Sequence, residues 1–157
     1  MAIQEFVQTI TGLTTVTTIY TAGDQLGNGM SFPNVVSNNG EVCKIVAATV
    51  TDDSGVLGAF DLVIYNSALP VFQADNSPAA ISVAEGQTAR TALSFLAANL
   101  VNDGGRIVGT IVPVFPVPVK VADGSKSLFV GLIARTANAV FAVSATSIRV
   151  ALLIDRS

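Results

Sequence analysis

Three aspartates in the first half of the chain have the type and spacing best suited to chemistry. Asp52 and Asp53 are adjacent, and Asp61 follows them in the segment TDDSGVLGAFD. Two carboxylates at a fixed separation can serve as a general acid and a nucleophile or base, and clustered carboxylates can bind Ca²⁺. In hairpins, however, Asp side chains usually hydrogen-bond to the local backbone of a turn. The segment therefore predicts a turn, with calcium binding or carboxylate catalysis as the alternative.

Composition excludes catalysis by histidine. The chain has no His, so neither a Ser-His-Asp nor a Cys-His arrangement can be built, and a histidine metal site is impossible. Cys43 is the only cysteine, which excludes an intramolecular disulfide and favours a small, buried apolar side chain. We therefore predict no catalytic residue, no cofactor and no metal ion.

The glycine-rich stretch YTAGDQLGNGMSFPNVV, residues 20–36, could be a phosphate-binding loop or a turn. Gly23, Gly27 and Gly29 give the spacing G-x-x-x-G-x-G. A P-loop needs G-x-x-x-x-G-K-[ST] before a helix, and a dinucleotide-binding turn needs G-x-G-x-x-G between a strand and a helix. Here no Lys follows the glycines, and the next segment is β-favouring and contains Pro33. We expect a hairpin connection.

Alternating apolar and β-branched residues predict strands on both sides of these turns. The segments with this pattern are 14–20, 30–36, 42–53 and 59–66. In the last of them, Phe60, Leu62 and Ile64 share one face. Four strands at similar spacing, joined by polar turns and without βαβ alternation, are typical of an antiparallel sandwich or barrel.

The second half of the chain has a less regular pattern. Its composition predicts a loop at 67–80, a turn at 122–126, and strands at 106–112, 128–134 and 147–155, with 138–145 pairing between the last two. Helical spacing of Ala and Leu predicts one short helix over 88–100, although an alternating strand also fits Leu93, Phe95 and Ala97. No repeat or change of composition marks a second domain, so residues 1–157 are expected to form a single β-sandwich domain.

The longest apolar tract, residues 107–119, is interrupted by Pro113, Pro116 and Pro118. It is shorter than the roughly 20 residues that a membrane-spanning helix needs, so we predict no membrane partner. The bare PxxP pattern could dock into an aromatic groove as polyproline II. With Val and Phe around it, a buried extended segment, or one that lies against a neighbouring subunit, is favoured.

The chain is more apolar than its size requires. Half of its residues are hydrophobic and 12% are charged, against roughly 25% charged in a typical soluble domain. Strands that are apolar on both faces need a partner for the outer face, which predicts a homo-oligomer or a larger lattice. The net charge of −3, without a basic cluster, excludes a nucleic-acid footprint. The N-terminus lacks a signal-peptide pattern, so we expect a mature chain that begins near Met1 in the cytoplasm.

Several turn-and-strand motifs carry a resemblance to a known family. YTAGDQLG (20–27), VTDDSG (50–55), FDLVIYNS (60–67) and ADN (74–76) resemble the pattern of head decoration, or cement, proteins of tailed bacteriophages. The resemblance implies an all-β, jelly-roll-like subunit on the outside of the virion capsid. It also implies a homotrimer that clamps subunits of the major capsid protein together.

The function predicted at this point is therefore structural. A capsid decoration protein, made in the host cytoplasm and bound to the capsid exterior, is the first hypothesis. The alternative is a tail, neck or fibre-associated structural or adhesion protein with the same sandwich. An enzyme that acts through Asp52, Asp53 and Asp61 is a third and weaker hypothesis.

Overall fold

The computed structural model describes residues 2–11, 19–67, 75–79, 87–137 and 148–156. Within these ranges the chain is all-β, with one 3-10 helix, Ala97–Asn99, between the fifth and sixth strands. The strands are β1 (Ile3–Thr9), β2 (Met30–Phe32), β3 (Val42–Asp52), β4 (Phe60–Tyr65), β5 (Ala89–Phe95), β6 (Leu100–Asp103), β7 (Arg106–Ile111), β8 (Val117–Lys120), β9 (Leu128–Ala134) and β10 (Ile148–Asp155). No helix in the described part is long and apolar enough to cross a membrane.

The strands form two antiparallel sheets that pack face to face. The first sheet has the order β1-β10-β3-β7-β6, and β8 pairs with the other half of the β3 edge that β7 occupies. The second sheet has the order β2-β9-β4-β5. The chain thus passes repeatedly from one sheet to the other, as in a jelly roll, with β7 and β8 together filling the place of one strand and β6 added at the edge beyond β7. The expected jelly-roll-like antiparallel sandwich is confirmed.

Alternation of side chains along the strands creates the core between the sheets. In β10, Val150, Leu152 and Ile154 are fully buried, while the residues between them face outward. The second sheet contributes Phe60 and Phe95, which are register partners and whose rings stack with centroids 4.7 Å apart. Such stacking adds to the free energy of burying two large rings. The core therefore fixes how β4 and β5 pair.

The helix predicted over 88–100 is wrong. Residues 89–95 form β5 instead, in which Leu93 lies opposite Leu62 and Phe95 lies opposite Phe60. The strand alternative is correct for Leu93 and Phe95, which are buried, whereas Ala97 is exposed and belongs to the 3-10 helix. Pairing with β4 and burial of two large side chains outweigh the weak helical propensity of the Ala and Leu residues.

The predicted strands at 42–53, 59–66, 106–112, 128–134 and 147–155 are confirmed to within about two residues. The segment 30–36 is a strand only up to Phe32, because Pro33 cannot donate to the ladder. Strands β1, β6 and β8 were not predicted. Most of the proposed strand at 14–20, most of the loop at 67–80 and all of 138–145 lie outside the described residues.

The glycine-rich stretch is more than a turn, although the strand expected before it, 14–20, lies mostly outside the described residues. Its residues 23–26 pair with β9: Gly23 N donates to Ala134 O at 2.7 Å, and Leu26 N donates to Leu132 O at 2.9 Å. On the opposite side, Gln25 N donates to Ser77 O at 3.0 Å. The glycines at positive φ bend the backbone, yet its polar groups are used in the second sheet. The segment that follows is strand β2 and not a helix.

Asp52 organises the turn after β3. Its side chain is fully buried and accepts hydrogen bonds from Ser54 N and Oγ, Val56 N and Leu57 N at 2.6–2.9 Å. Gly55 in this turn has φ +71°, and a Cβ there would collide with the carbonyl oxygen of Gly105 in the β6–β7 turn. The turn predicted from TDDSG is confirmed, and it packs against a second turn.

Replacing Asp52 by Ala is expected to lower the free energy of unfolding by about 2–4 kcal/mol, because several buried donors lose a charged acceptor. Urea unfolding followed by circular dichroism would measure the change. Asp123→Ala is the matched control, since its side chain is 86% exposed and pairs only with Lys120, so a change within about 0.5 kcal/mol is expected. Equal effects of the two substitutions would contradict this role of Asp52.

Candidate interaction surface

The most exposed apolar side chains of the described residues lie in the loop between β7 and β8. This apolar loop comprises residues 112–116, with the sequence VPVFP. Val112 is 68% exposed, Val114 is 90% exposed and Phe115 is 80% exposed. A large aromatic side chain at such exposure gains free energy when a partner covers it. The apolar loop is therefore the leading candidate for a binding contact.

Both ends of the apolar loop are anchored on β3. Ile111 pairs with Ala48 just before the loop, and Val117 pairs with Ile45 just after it. Val121 N donates to Glu41 O, which places the N–H groups of alternate β8 residues toward β3 and position 118 away from it. Pro118 therefore occupies a position of β8 where no N–H is needed. The loop projects from a fixed base.

The expectation that the tract around PVFP is a buried extended segment is wrong. Pro116 and the two side chains before it are exposed, and Pro113 is half-buried. Proline supplies no N–H for a ladder, so residues 113–116 leave the edge of β3 between the β7 and β8 pairings. The other possibility, contact with a neighbouring subunit, remains a prediction.

The outer face of the first sheet forms a second, flatter surface with little charge at its centre. Val7, Ala151, Thr49 and Thr110 are register neighbours across β1, β10, β3 and β7. The two Thr hydroxyls lie 3.0 Å apart, which satisfies them within the face. Parallel to this row, Leu153 lies opposite Ala47, and Val108 lies opposite Val101. This face resembles the uncharged centre of a protein interface.

Two arginines pair with one aspartate at one end of this face. Asp53 Oδ1 lies 2.7 Å from Arg106 Nε, and Asp53 Oδ2 lies 2.8 Å from Arg149 Nη2. All three side chains are partly exposed, so the pairs add little to the free energy of unfolding. One carboxylate against two guanidinium groups leaves a net positive charge at this margin of the face.

The structure does not gather the three candidate carboxylates into one site. Asp52 is buried in its turn, whereas Asp53 is held by two arginines. Asp61 lies on β4 of the second sheet, where it accepts from Ser94 Oγ at 2.6 Å and lies 3.4 Å from Arg135 Nη1. Each carboxylate thus has its own structural partners. Among the described residues, no group of three Asp, Glu or Cys side chains could hold a metal ion.

A shallow groove lies on the first sheet beside β6. Its volume is about 540 Å³, and it is lined by Asn99, Val101, Asn102, Asp103, Val108 and Thr110. The lining offers one carboxylate and no cation. Small-molecule sites usually combine an apolar enclosure with a few convergent polar groups, whereas most of this lining is polar and only Val101 and Val108 are apolar.

Two motifs of the family resemblance meet in space, although they lie far apart in the chain and no local pattern predicts their contact. Asp75 Oδ1 accepts from Tyr20 Oη at 2.6 Å and from Gly27 N at 2.6 Å. The ring of Tyr20 is fully buried. YTAGDQLG and ADN are therefore held together by one carboxylate, and their role is to build the fold.

Cys43 is fully buried in β3, and its Sγ lies 3.7 Å from Val119 O. Burial raises the pKa of the Cys43 thiol to about 11, because the thiolate would lose its hydration. The thiol is therefore protonated at neutral pH and cannot act as a nucleophile. The expectation of a small buried apolar side chain is confirmed.

Cys43 is expected to resist a thiol-specific reagent at pH 7–8 and to react fully once the chain is unfolded in guanidinium. Because its pKa is raised in the folded chain, the folded state keeps the proton longer. The associated stability is complete below the unfolded pKa near 9 and is lost as the pH rises toward 11. Absorbance of the released thiol product would measure the rate, and rapid reaction of the native protein would contradict the burial.

No protein-family model matches the chain, and no curated protein matches it either. The exposed apolar loop is therefore the main structural indication of function.

Proposed function

We propose that this chain is a head decoration protein of a tailed bacteriophage, which binds the outer surface of the capsid and stabilises the lattice of the major capsid protein. The apolar loop is the observation that carries the proposal, because an anchored loop with Phe115 at 80% exposure has no use in an isolated subunit. The resemblance to head decoration proteins implies that the partner is the major capsid protein. The all-β sandwich is the fold that the resemblance implies.

The apolar loop can bind at low entropic cost. Pro113 and Pro116 restrict the backbone on both sides of Phe115, and the β3 pairings fix the loop ends. A contact that is ordered before binding loses less conformational freedom when it forms. Burial of Val114 and Phe115 in a pocket between capsid subunits would add about 1.5–3 kcal/mol for each side chain.

Stabilisation of the capsid follows by mass action. A protein that binds the assembled lattice, and not the separated subunits, shifts the equilibrium toward the lattice in proportion to its occupancy. Many weak contacts of this kind reinforce a shell that is built from many copies. The proposal requires binding alone and assigns no catalytic step to the chain.

Virions that lack this chain are expected to retain assembled heads that are bare at the decoration sites and break more readily on heating or on loss of salt. Cryo-electron microscopy of complete and lacking particles would locate the chain, and release of DNA on heating would measure fragility. A chain found in the tail at low copy number would refute the decoration role and favour the tail, neck or fibre alternative.

Phe115→Ser is expected to weaken binding to empty capsids about thirtyfold, which corresponds to about 2 kcal/mol, because it removes an aromatic anchor. Co-sedimentation with capsids would measure the affinity. Leu96→Ser is the matched control, since Leu96 is an apolar side chain that is 49% exposed at the end of β5. Equal losses for the two variants, or no loss for Phe115→Ser at unchanged thermal stability, would contradict the role of the loop.

A further inference from the structure

Strand β1 is an unprotected edge of the first sheet. Among the described residues it pairs with β10 alone, and its register is unbroken over all seven residues. Ile3 is 47% exposed and Val7 is 50% exposed. The strand contains no Pro, no Lys and no bulge, which are the features that normally prevent an edge from pairing with another chain.

The backbone of β1 directs alternate residues toward this open edge. Arg156 N donates to Ala2 O, and Ile10 N donates to Ile148 O, so the even-numbered positions bond to β10. In an antiparallel ladder the intervening residues then point their N–H and C=O groups the other way. These are the groups of Ile3, Glu5, Val7 and Thr9.

The sequence of β1 is complementary to itself in one register. About a two-fold axis at Phe6, Glu5 lies opposite Val7 of a second copy, and Ile3 lies opposite Thr9. Both pairs then exchange two backbone hydrogen bonds each, because their polar groups point outward. Gln4 lies opposite Gln8; Gln4 Oε1 already accepts from Arg156 Nη1 at 2.7 Å, which leaves its amide N–H groups to donate to Gln8. The two Phe6 residues meet at the axis.

The neighbouring registers of this pairing are less favourable. An axis at Glu5 places the two Glu5 carboxylates directly opposite each other, which is destabilising. An axis at Val7 leaves Ile3 and Gln4 without partners. Odd shifts would place the inner face of one copy against the outer face of the other. Charge and the number of paired residues therefore select the axis at Phe6.

We propose that a second copy of this chain pairs with β1 about a two-fold axis at Phe6, so that the first sheets of two subunits join into one continuous sheet. This contact is separate from the apolar loop, because β10 and β3 lie between β1 and the β7–β8 edge. The dimer therefore leaves the loop free to bind a capsid. It differs from the trimer that the family resemblance implies.

A matched pair of substitutions at Val7 tests the register. Val7→Lys places a cation opposite Glu5 of the second copy, whereas Val7→Glu places a second carboxylate there. Both add one charge at the same exposed position. We expect Val7→Lys and the parent protein to have twice the chain mass of 16.1 kDa by light scattering, and Val7→Glu to have the mass of one chain. The double variant E5K/V7E should restore the dimer.

Disulfide trapping gives a second readout that captures a weak dimer. A mixture of Gln4→Cys and Gln8→Cys proteins should form a covalent dimer under mild oxidation, because a non-hydrogen-bonded antiparallel pair brings the two Cα atoms to about 4.5 Å. Neither variant should cross-link by itself, and the buried Cys43 does not compete. Cross-linking of either variant alone would overturn the register.

Other results would overturn the dimer itself. One such result is a parent protein that has the mass of one or three chains and whose Gln4→Cys and Gln8→Cys variants do not cross-link when mixed. The other is an equal mass for Val7→Lys and Val7→Glu. Capsid co-sedimentation of the parent protein separates this inference from the proposed function. A parent protein that binds capsids but has the mass of one chain and does not cross-link would contradict the dimer alone. A parent protein that dimerises but does not bind capsids would contradict the proposed function alone.

Discussion

Strand β3 carries the hydrogen bonding on which the first sheet depends. It pairs with β10 along one edge and with β7 and β8 in succession along the other. Its alternate side chains are buried, with a shift of one residue where the pairing with β10 skips Val46: Cys43 and Ile45 before the shift, and Ala48, Val50 and Asp52 after it. One long strand thus sets the register of three others. The gap between the β7 and β8 pairings is where the chain leaves the sheet and exposes its apolar loop.

Hydrogen-bonded carboxylates organise the loops that connect this framework. Asp52 satisfies the donors of the turn after β3, and Asp75 joins Tyr20 and Gly27 across a long separation in sequence. The carboxylate of Asp52 is fully buried and would be costly without its hydrogen bonds, so this position tolerates few alternatives. Motifs that resemble a phage family are therefore explained here by folding, while the surface that would contact a partner lies elsewhere.

The sequence permits a good prediction of some elements and not of others, for physical reasons. Strands such as β4 and β9 could be predicted because their own residues alternate or are uniformly apolar. Strand β1, with the sequence IQEFVQT, has too few apolar residues to be recognised without its partner β10. Residues 88–100 have helical spacing, but residues 89–95 form a strand because they pair with β4, where Phe95 stacks on Phe60. The local sequence pattern contains no information about contacts with residues so far away in the chain.

The same limit applies to the interaction surface. Residues 107–119 form one apolar tract in the sequence, yet Ile107 and Val119 lie in the core while Val114 and Phe115 face outward. Hydropathy does not distinguish these positions. Only the three-dimensional pairing with β3 shows where the chain departs from the sheet.

Because residues 112–116 leave the sheet, the residues that form the core are separate from the exposed residues of the apolar loop. Val114 and Phe115 make no contribution to the core, and the strands on both sides of residues 112–116 are held by β3. Mutations can therefore accumulate in these five positions without a loss of folding. Under the proposed function, the preference of the loop for a particular capsid could change while the sandwich is retained, and the loop could be grafted onto another sandwich.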